Sequence, residues 1–252
     1  MNRDTVRQVA NVIAYVAVVV VNALANVLPL NGQTTGEIAN RFPVFFVPAG
    51  FTFIIWGVIY LFLAGFTAFQ ALPSQRENPN LRAIDGFFIL ASAANIAWLF
   101  LWHYNLFPAS LIAMLALLGS LIVIYLRLGI GLRRVSTAEN WTVHVPFSIY
   151  LAWITVATIA NVTIVLFVAG WNGFGLAPQL WAAILLAVGT IITLTVIITR
   201  TDVAFTLVIL WSYAGIAVKQ IASPVVFVTA IGTAALLGVV LLIAVLQEKG
   251  VL

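Results

Sequence analysis

The sequence has no cysteine, two histidines and only seven acidic residues in 252 positions. The first absence excludes disulfides, thiolate metal sites and cysteine nucleophiles. The two histidines, His103 and His144, fall at opposite ends of predicted helices, so they cannot share a metal, and zinc chemistry has no ligand set. A nucleophile elbow, a phosphate loop and a paired-carboxylate site are missing as well. Glu37, Asp85, Glu139 and Asp202 read as isolated, at span ends or in loops. An enzyme is therefore not expected, and no cofactor is implied. Charge is scarce in general: 7% of the residues carry one, against 63% that are apolar. A soluble chain of this length needs far more charge to cover its surface. This chain is stable only where its surroundings are apolar too. The net charge of +4 does not point to nucleic acid, because the basic residues stand singly between apolar runs.

What the sequence has is long apolar runs. A helix needs about 20 mainly apolar residues to cross a bilayer. Eight runs qualify: Val9–Leu30, Pro48–Leu72, Ile84–Trp102, Pro108–Leu128, His144–Val168, Pro178–Thr199, Asp202–Lys219 and Pro224–Leu246. Proline stands at or near the start of several, where its missing N–H would be unpaired anyway. The fold expected is an all-α, polytopic transmembrane bundle of about eight spanning helices.

Charge sets the expected orientation, since cytoplasmic loops carry the excess of Lys and Arg. With the N-terminus inside, Arg3, Arg7, Arg76, Arg82, Arg127, Arg133, Arg134, Arg200 and Lys249 fall on the inner side, and only Arg41 and Lys219 on the outer. Both termini are then cytoplasmic. Arg3 and Arg7 before a short apolar core also mimic a cleaved signal peptide.

The outer loop from Asn31 to Val47 is long enough to act as a cover or to be a plain connector. The glycine-rich Gly170–Ala177 reads as a joint between a five-helix part, 1-170, and an additional three-helix segment, 171-252. No internal repeat of the kind found in inverted-repeat transporters is evident.

Polar groups are costly in lipid and face other helices or a cavity. Here they come in register. Phe53, Trp56 and Tyr60 share one helix face, as do Asn95, Trp98 and Trp102, and Tyr150, Trp153, Ala157 and Asn161. Asn22 and Asn26 lie one turn apart on the first span. These residues read either as interhelical packing or as a shared aromatic pocket with a few polar anchors, suited to a large flat ligand. Trp141 and Trp171, at span ends, read as interfacial belt residues. Each histidine reads as an interfacial polar residue, and Lys219 as a lysine snorkelling to the headgroups.

Three of these helices resemble the tryptophan-rich sensory protein, or translocator protein (TspO/MBR), family. Asn95-Ile-Ala-Trp98 is similar to its asparagine–two residues–tryptophan signature. The run Tyr150-Leu-Ala-Trp153-Ile-Thr-Val-Ala157-Thr-Ile-Ala-Asn161 resembles its fifth helix, and Pro48 to Tyr60 resembles the proline-rich entry to its second. The resemblance covers about Val9–Val168. A lysine-proline-x-tryptophan run usual before the second helix is missing, and the three helices from Pro178 have no counterpart in short members; they are similar to a longer bacterial branch.

The resemblance implies a receptor or sensor in the bacterial inner membrane that binds a tetrapyrrole such as protoporphyrin, or a sterol-like lipid, between helices under the first loop. By position the ligand-binding residues would be Trp56, Tyr60, Asn95, Trp98, Tyr150, Trp153 and Ala157. The alternative is a carrier of such ligands without ion coupling. The implied partners are the hydrophobic ligand and membrane lipids, not nucleic acid. Ala214 and Ala217, small residues that permit close helix approach, leave a homodimer open.

Overall fold

The computed structural model describes residues 2–28, 30–84 and 86–250. Asp85 lies outside them. In chain order the described residues form α1 (Arg3–Val27), α2 (Thr35–Asn40), α3 (Ile55–Ala71), α4 (Pro79–Ala83), α5 (Phe87–His103), α6 (Phe107–Leu128), α7 (Thr137–Glu139), α8 (Val145–Val168), α9 (Pro178–Arg200), α10 (Val203–Lys219) and α11 (Pro224–Glu248). A 3₁₀ turn, Gly50–Ile54, leads into α3, and a π-helical turn, Asn140–His144, joins α7 to α8.

Six segments are long and apolar enough to cross a membrane: α1, α3 with its leading turn, α6, α7 through α8, α9 and α11. α5 and α10 are apolar helices of 17 residues. At 1.5 Å per residue each is about 25 Å long, the lower limit for a spanning helix. The expected eight runs are thus eight helices, six of full length and two short.

Helix ends follow their local chemistry. Proline occupies the first turn of α6, α9 and α11, where an amide donor would go unpaired. Gly129, in the left-handed region at φ 62°, closes α6. Between α9 and α10 the turn is only Thr201 and Asp202; the Asp202 carboxylate caps α10 by accepting the Phe205 N–H at 3.0 Å.

α1, α5, α6, α8 and α3 pack in that order as a closed ring, α3 returning to α1. α9, α10 and α11 each touch the other two, and α10 joins the groups by lying along α8. Inside the ring Phe66, Phe88 and Phe147 meet edge to face, with centroids 4.9–6.1 Å apart. The outward faces remain apolar: Ile13, Leu61, Ile112, Ile198 and Val228 are exposed. In water such a surface would aggregate, whereas lipid solvates it.

Charges sort to the two ends. At one, Arg82 grips Asp4 bidentately at 2.6 and 2.9 Å, Arg7 donates to the Arg76 carbonyl at 2.8 Å, and Arg127 to that of Ala83 at 2.9 Å. At the other, Arg41 donates to Asn105 and Lys219 to Asn40.

Asp202 is not isolated, as the sequence suggested. It is buried and accepts from Tyr125 of α6 at 2.8 Å and Ser148 of α8 at 2.6 Å. Nor are the histidines interfacial. His103 and His144 are both buried, His103 with Nδ1 2.8 Å from the Leu99 carbonyl. Each helix end is covered by another segment, which local sequence does not reveal.

Candidate functional site

The three aromatic faces converge on Trp56. Its ring stacks on Tyr60 (centroids 5.6 Å apart) and on Trp98 (6.4 Å), and Tyr150 and Trp153 meet it edge-on at 6.1 and 6.3 Å. Trp98 stacks in turn on Trp102 at 5.6 Å. The spacing of i, i+3 and i+7 residues on α3, α5 and α8 is what brings these rings together.

A chain of hydrogen bonds fixes the rings from behind. Asn22 of α1 donates to Asn95 Oδ1 at 2.8 Å, and Asn95 Nδ2 donates to the Tyr150 hydroxyl at 2.9 Å. The Trp98 indole donates to Asn161 Oδ1 at 3.2 Å, and Asn161 Nδ2 to Ser110 at 3.2 Å. Four helices of the ring are cross-linked this way through uncharged groups, which desolvate more cheaply than ions.

Between the rings and the first loop lies a cavity of about 40 Å³, lined among others by Trp56, Trp98, Trp102, Trp153, Ala157 and Asn161. Trp56, Trp98, Trp153 and Ala157 of the expected set face it. Tyr60, Asn95 and Tyr150 do not line it; they form the bonded and stacked layer behind. The roof is Thr35, Ala39, Val47, Pro48 and Phe53; sequence reasoning picked out Phe53 and Pro48 on the way into the second helix, but not Thr35, Ala39 or Val47. Among the described residues no charged side chain lines the cavity. Trp153 Nε1 is buried and, among the described residues, has no hydrogen-bond partner. Such a donor retains its full desolvation cost until an acceptor reaches it.

The volume is decisive for state. About 40 Å³ has room for a water or two, whereas drug-sized ligands occupy sites of roughly 300–1,000 Å³. The ring cluster is closed on itself. A second cavity, about 360 Å³, lies between the C-terminal end of α8 and the N-terminal end of α9, lined by Phe46, Leu166, Phe167, Trp171, Trp181 and Leu185 among others. It contains none of the seven expected residues.

The first loop forms the roof as a folded strap. Thr34 and Glu37 cap α2 reciprocally: the Glu37 N–H donates to the Thr34 hydroxyl, and the Thr34 N–H donates to the Glu37 carboxylate at 2.7 Å. The Thr34 N–H and, after it, the Thr34 hydroxyl donate to the carboxylate and hold the Glu37 carboxyl below its usual pKa. Asn31 donates to the His103 carbonyl at 3.0 Å, and Trp102 Nε1 to that of Thr35 at 3.3 Å. Lys219 does not snorkel to headgroups: its ammonium donates to Asn40 Oδ1 on this strap at 2.6 Å. The partners are 179 positions apart, beyond the reach of any local pattern.

The family described as TSPO-like protein matches this sequence over residues 8–243, including α9 and α10 as well as the five-helix ring. Comparison with curated proteins and with solved structures gives no match.

Proposed function

The chain belongs to the TSPO-like protein family, and from that premise we propose that it is a membrane receptor for a flat hydrophobic ligand, a tetrapyrrole or a sterol-like lipid, held among the aromatic rings under the first loop. The observation that carries this reading is the convergence of Trp56, Trp98, Trp102 and Trp153 on one cavity with an uncharged lining. Indole faces stack on a planar ligand over a large area, and the unpaired Trp153 N–H offers one directional anchor. Tyr60, Asn95 and Tyr150 act as the supporting layer that keeps those faces in place. Because the cavity is far smaller than such a ligand, binding requires Trp56 and Trp98 to part and the strap to lift.

We read the protein as a binder rather than a catalyst. Its setting in this reading is a bacterial cytoplasmic membrane, with the arginine-rich end and both termini inside, in keeping with the sorting of basic residues.

Titration of the purified protein in detergent with protoporphyrin, followed by quenching of tryptophan fluorescence, tests the reading. Saturable quenching is expected, with affinity lowered roughly tenfold in Trp98→Phe and in Trp153→Phe, each of which removes an indole donor and part of a stacking face. Quenching that does not saturate, or that ignores both substitutions, removes this ligand and this pocket from consideration.

A further inference from the structure

The roof of the cavity makes two sets of hydrogen bonds, and they reach different parts of the chain. On one side Asn31, Thr35 and Arg41 bond to the outer end of α5 and the turn after it, at His103, Trp102 and Asn105. On the other side the hydrogen bonds go to α10, while Phe42 packs edge-on against Phe107 of α6 and Phe167 of α8, and Phe53 against Trp153 of α8. Lys219 Nζ donates to Asn40 Oδ1 at 2.6 Å, the Ala49 N–H donates to the Gly215 carbonyl at 3.1 Å, and Trp211 Nε1 donates to the Thr52 carbonyl at 3.1 Å. Phe51 meets the Trp211 ring edge-on at 5.4 Å.

The middle contact depends on glycine. A Cβ at Gly215 would overlap the Thr52 methyl and come within 3.2 Å of Pro48 Cβ. Glycine within a helix costs about 1 kcal/mol relative to alanine, and here it lets the strap backbone reach the helix carbonyl. α10 is a firm post for such a contact, because Asp202 at its other end is bonded to Tyr125 and Ser148.

We propose that α10 is the fastening of the strap, and that Lys219, Gly215 and Trp211 are positioning residues for the pocket beneath it. Thr35, Ala39, Val47, Pro48 and Phe53 all roof the cavity, and the strap that carries them is pinned to α10 at Asn40, Ala49 and Thr52. The C-terminal helices thereby set how often the pocket opens, without lining it. This inference rests on the strap covering a ligand site, but its test is independent of which ligand binds.

The chain has no cysteine, so Val156→Cys, at a buried position of the cavity wall, places a single thiol there. Its rate of labelling by a maleimide reports how often the roof opens. On that background Lys219→Met is expected to raise the rate roughly 3- to 10-fold, the gain in open state when one ordinary hydrogen bond is lost. Lys219→Arg, which still reaches Asn40 as a donor, returns the rate to near that of the parent. Gly215→Ala raises it at least as much as Lys219→Met. The unfolding temperature of the Lys219 variants stays that of the parent, since only the strap contact is altered. Equal rates in Lys219→Met and the parent overturn the proposal, as does an arginine variant as fast as the methionine one. If Gly215→Ala does not fold, the Lys219 pair decides alone. A protoporphyrin titration of the same proteins separates the two readings. Labelling that follows Lys219 without porphyrin binding keeps the fastening and discards the ligand. Saturable binding with labelling indifferent to Lys219 does the reverse.

Discussion

The Tyr125 hydroxyl donates to the Asp202 carboxylate at 2.8 Å, joining α6 of the five-helix ring to the first turn of α10. The same oxygen accepts from Ser148 at 2.6 Å, and the other caps the helix through Phe205 N–H. Asp202→Ala leaves two buried hydroxyls and a helix N-terminus without their acceptor. It is expected to cost roughly 2–4 kcal/mol, read as a lowered unfolding temperature in detergent. Tyr125→Phe removes one donor and leaves the cap, so its cost is about 1 kcal/mol. An alanine variant no less stable than the phenylalanine one would show that the carboxylate is not what holds α10 in place.

Asn95 is the middle of a three-residue chain across α1, α5 and α8. Replacing it by leucine strands the buried Tyr150 hydroxyl and leaves the buried Asn22 amide with only its bond to the Val18 carbonyl. A loss of roughly 2–3 kcal/mol is expected, together with weaker protoporphyrin binding, although Asn95 does not line the cavity. Unfolding and titration of one preparation measure both. Binding unchanged despite lost stability would place the supporting layer outside the site's function.

Acid should loosen the strap before it unfolds the bundle. The Glu37 carboxyl is held below its usual pKa first by the Thr34 backbone N–H and then by the Thr34 hydroxyl. A depressed folded-state pKa means that the contribution is present above the unfolded value, about 4.3, and lost as pH falls through the folded one. Hydrogen exchange of a peptide spanning α2, corrected for the intrinsic rate, should therefore quicken below pH of about 4. Glu37→Gln should abolish most of that pH dependence. A glutamine variant with the parent's profile would assign the effect to another group.

Two glycines with similar backbone angles should respond very differently to alanine. Gly131, at φ +79°, faces the Arg200 backbone, which a Cβ would overlap; Gly170, at φ +70°, has open space. Gly170→Ala costs about 1–2 kcal/mol for the left-handed conformation alone, and Gly131→Ala costs more by the clash. Equal unfolding temperatures would mean that the turn at Gly131 can shift away from Arg200, despite the 2.7 Å bond from that arginine to the Ile130 carbonyl.

The eight helices were legible because apolar length and proline placement are local signals. Even α5 and α10, the short ones, were found within three residues of their ends. The shared faces of Trp56, Trp98 and Trp153 were legible for the same reason, since helical period fixes them. What period cannot supply is depth. Tyr60, Asn95 and Tyr150 share faces with the cavity-lining rings yet stand behind the cavity, and only the angle at which helices cross decides that. The length of the first loop allowed it to be a cover, but the attachments of the strap were not legible at all. Lys219 with Asn40, and Trp211 with Thr52, are 179 and 159 positions apart. A lysine at a helix end and an asparagine in a loop have ordinary local explanations, so neither draws attention until the fold brings them together.

The 40 Å³ cavity also sets what an affinity measured on this protein would mean. A pocket filled by its own rings is occupied by the protein most of the time. The apparent dissociation constant is then the intrinsic one divided by the fraction of molecules in the open form. Each 1.4 kcal/mol that favours the closed form weakens the apparent affinity tenfold and leaves every contact in the bound state as it was. Variants with identical binding surfaces can therefore differ in sensitivity by orders of magnitude. For a receptor of the proposed kind, the concentration at which it responds would be encoded in how well its empty state packs, and only in part in how well the ligand fits.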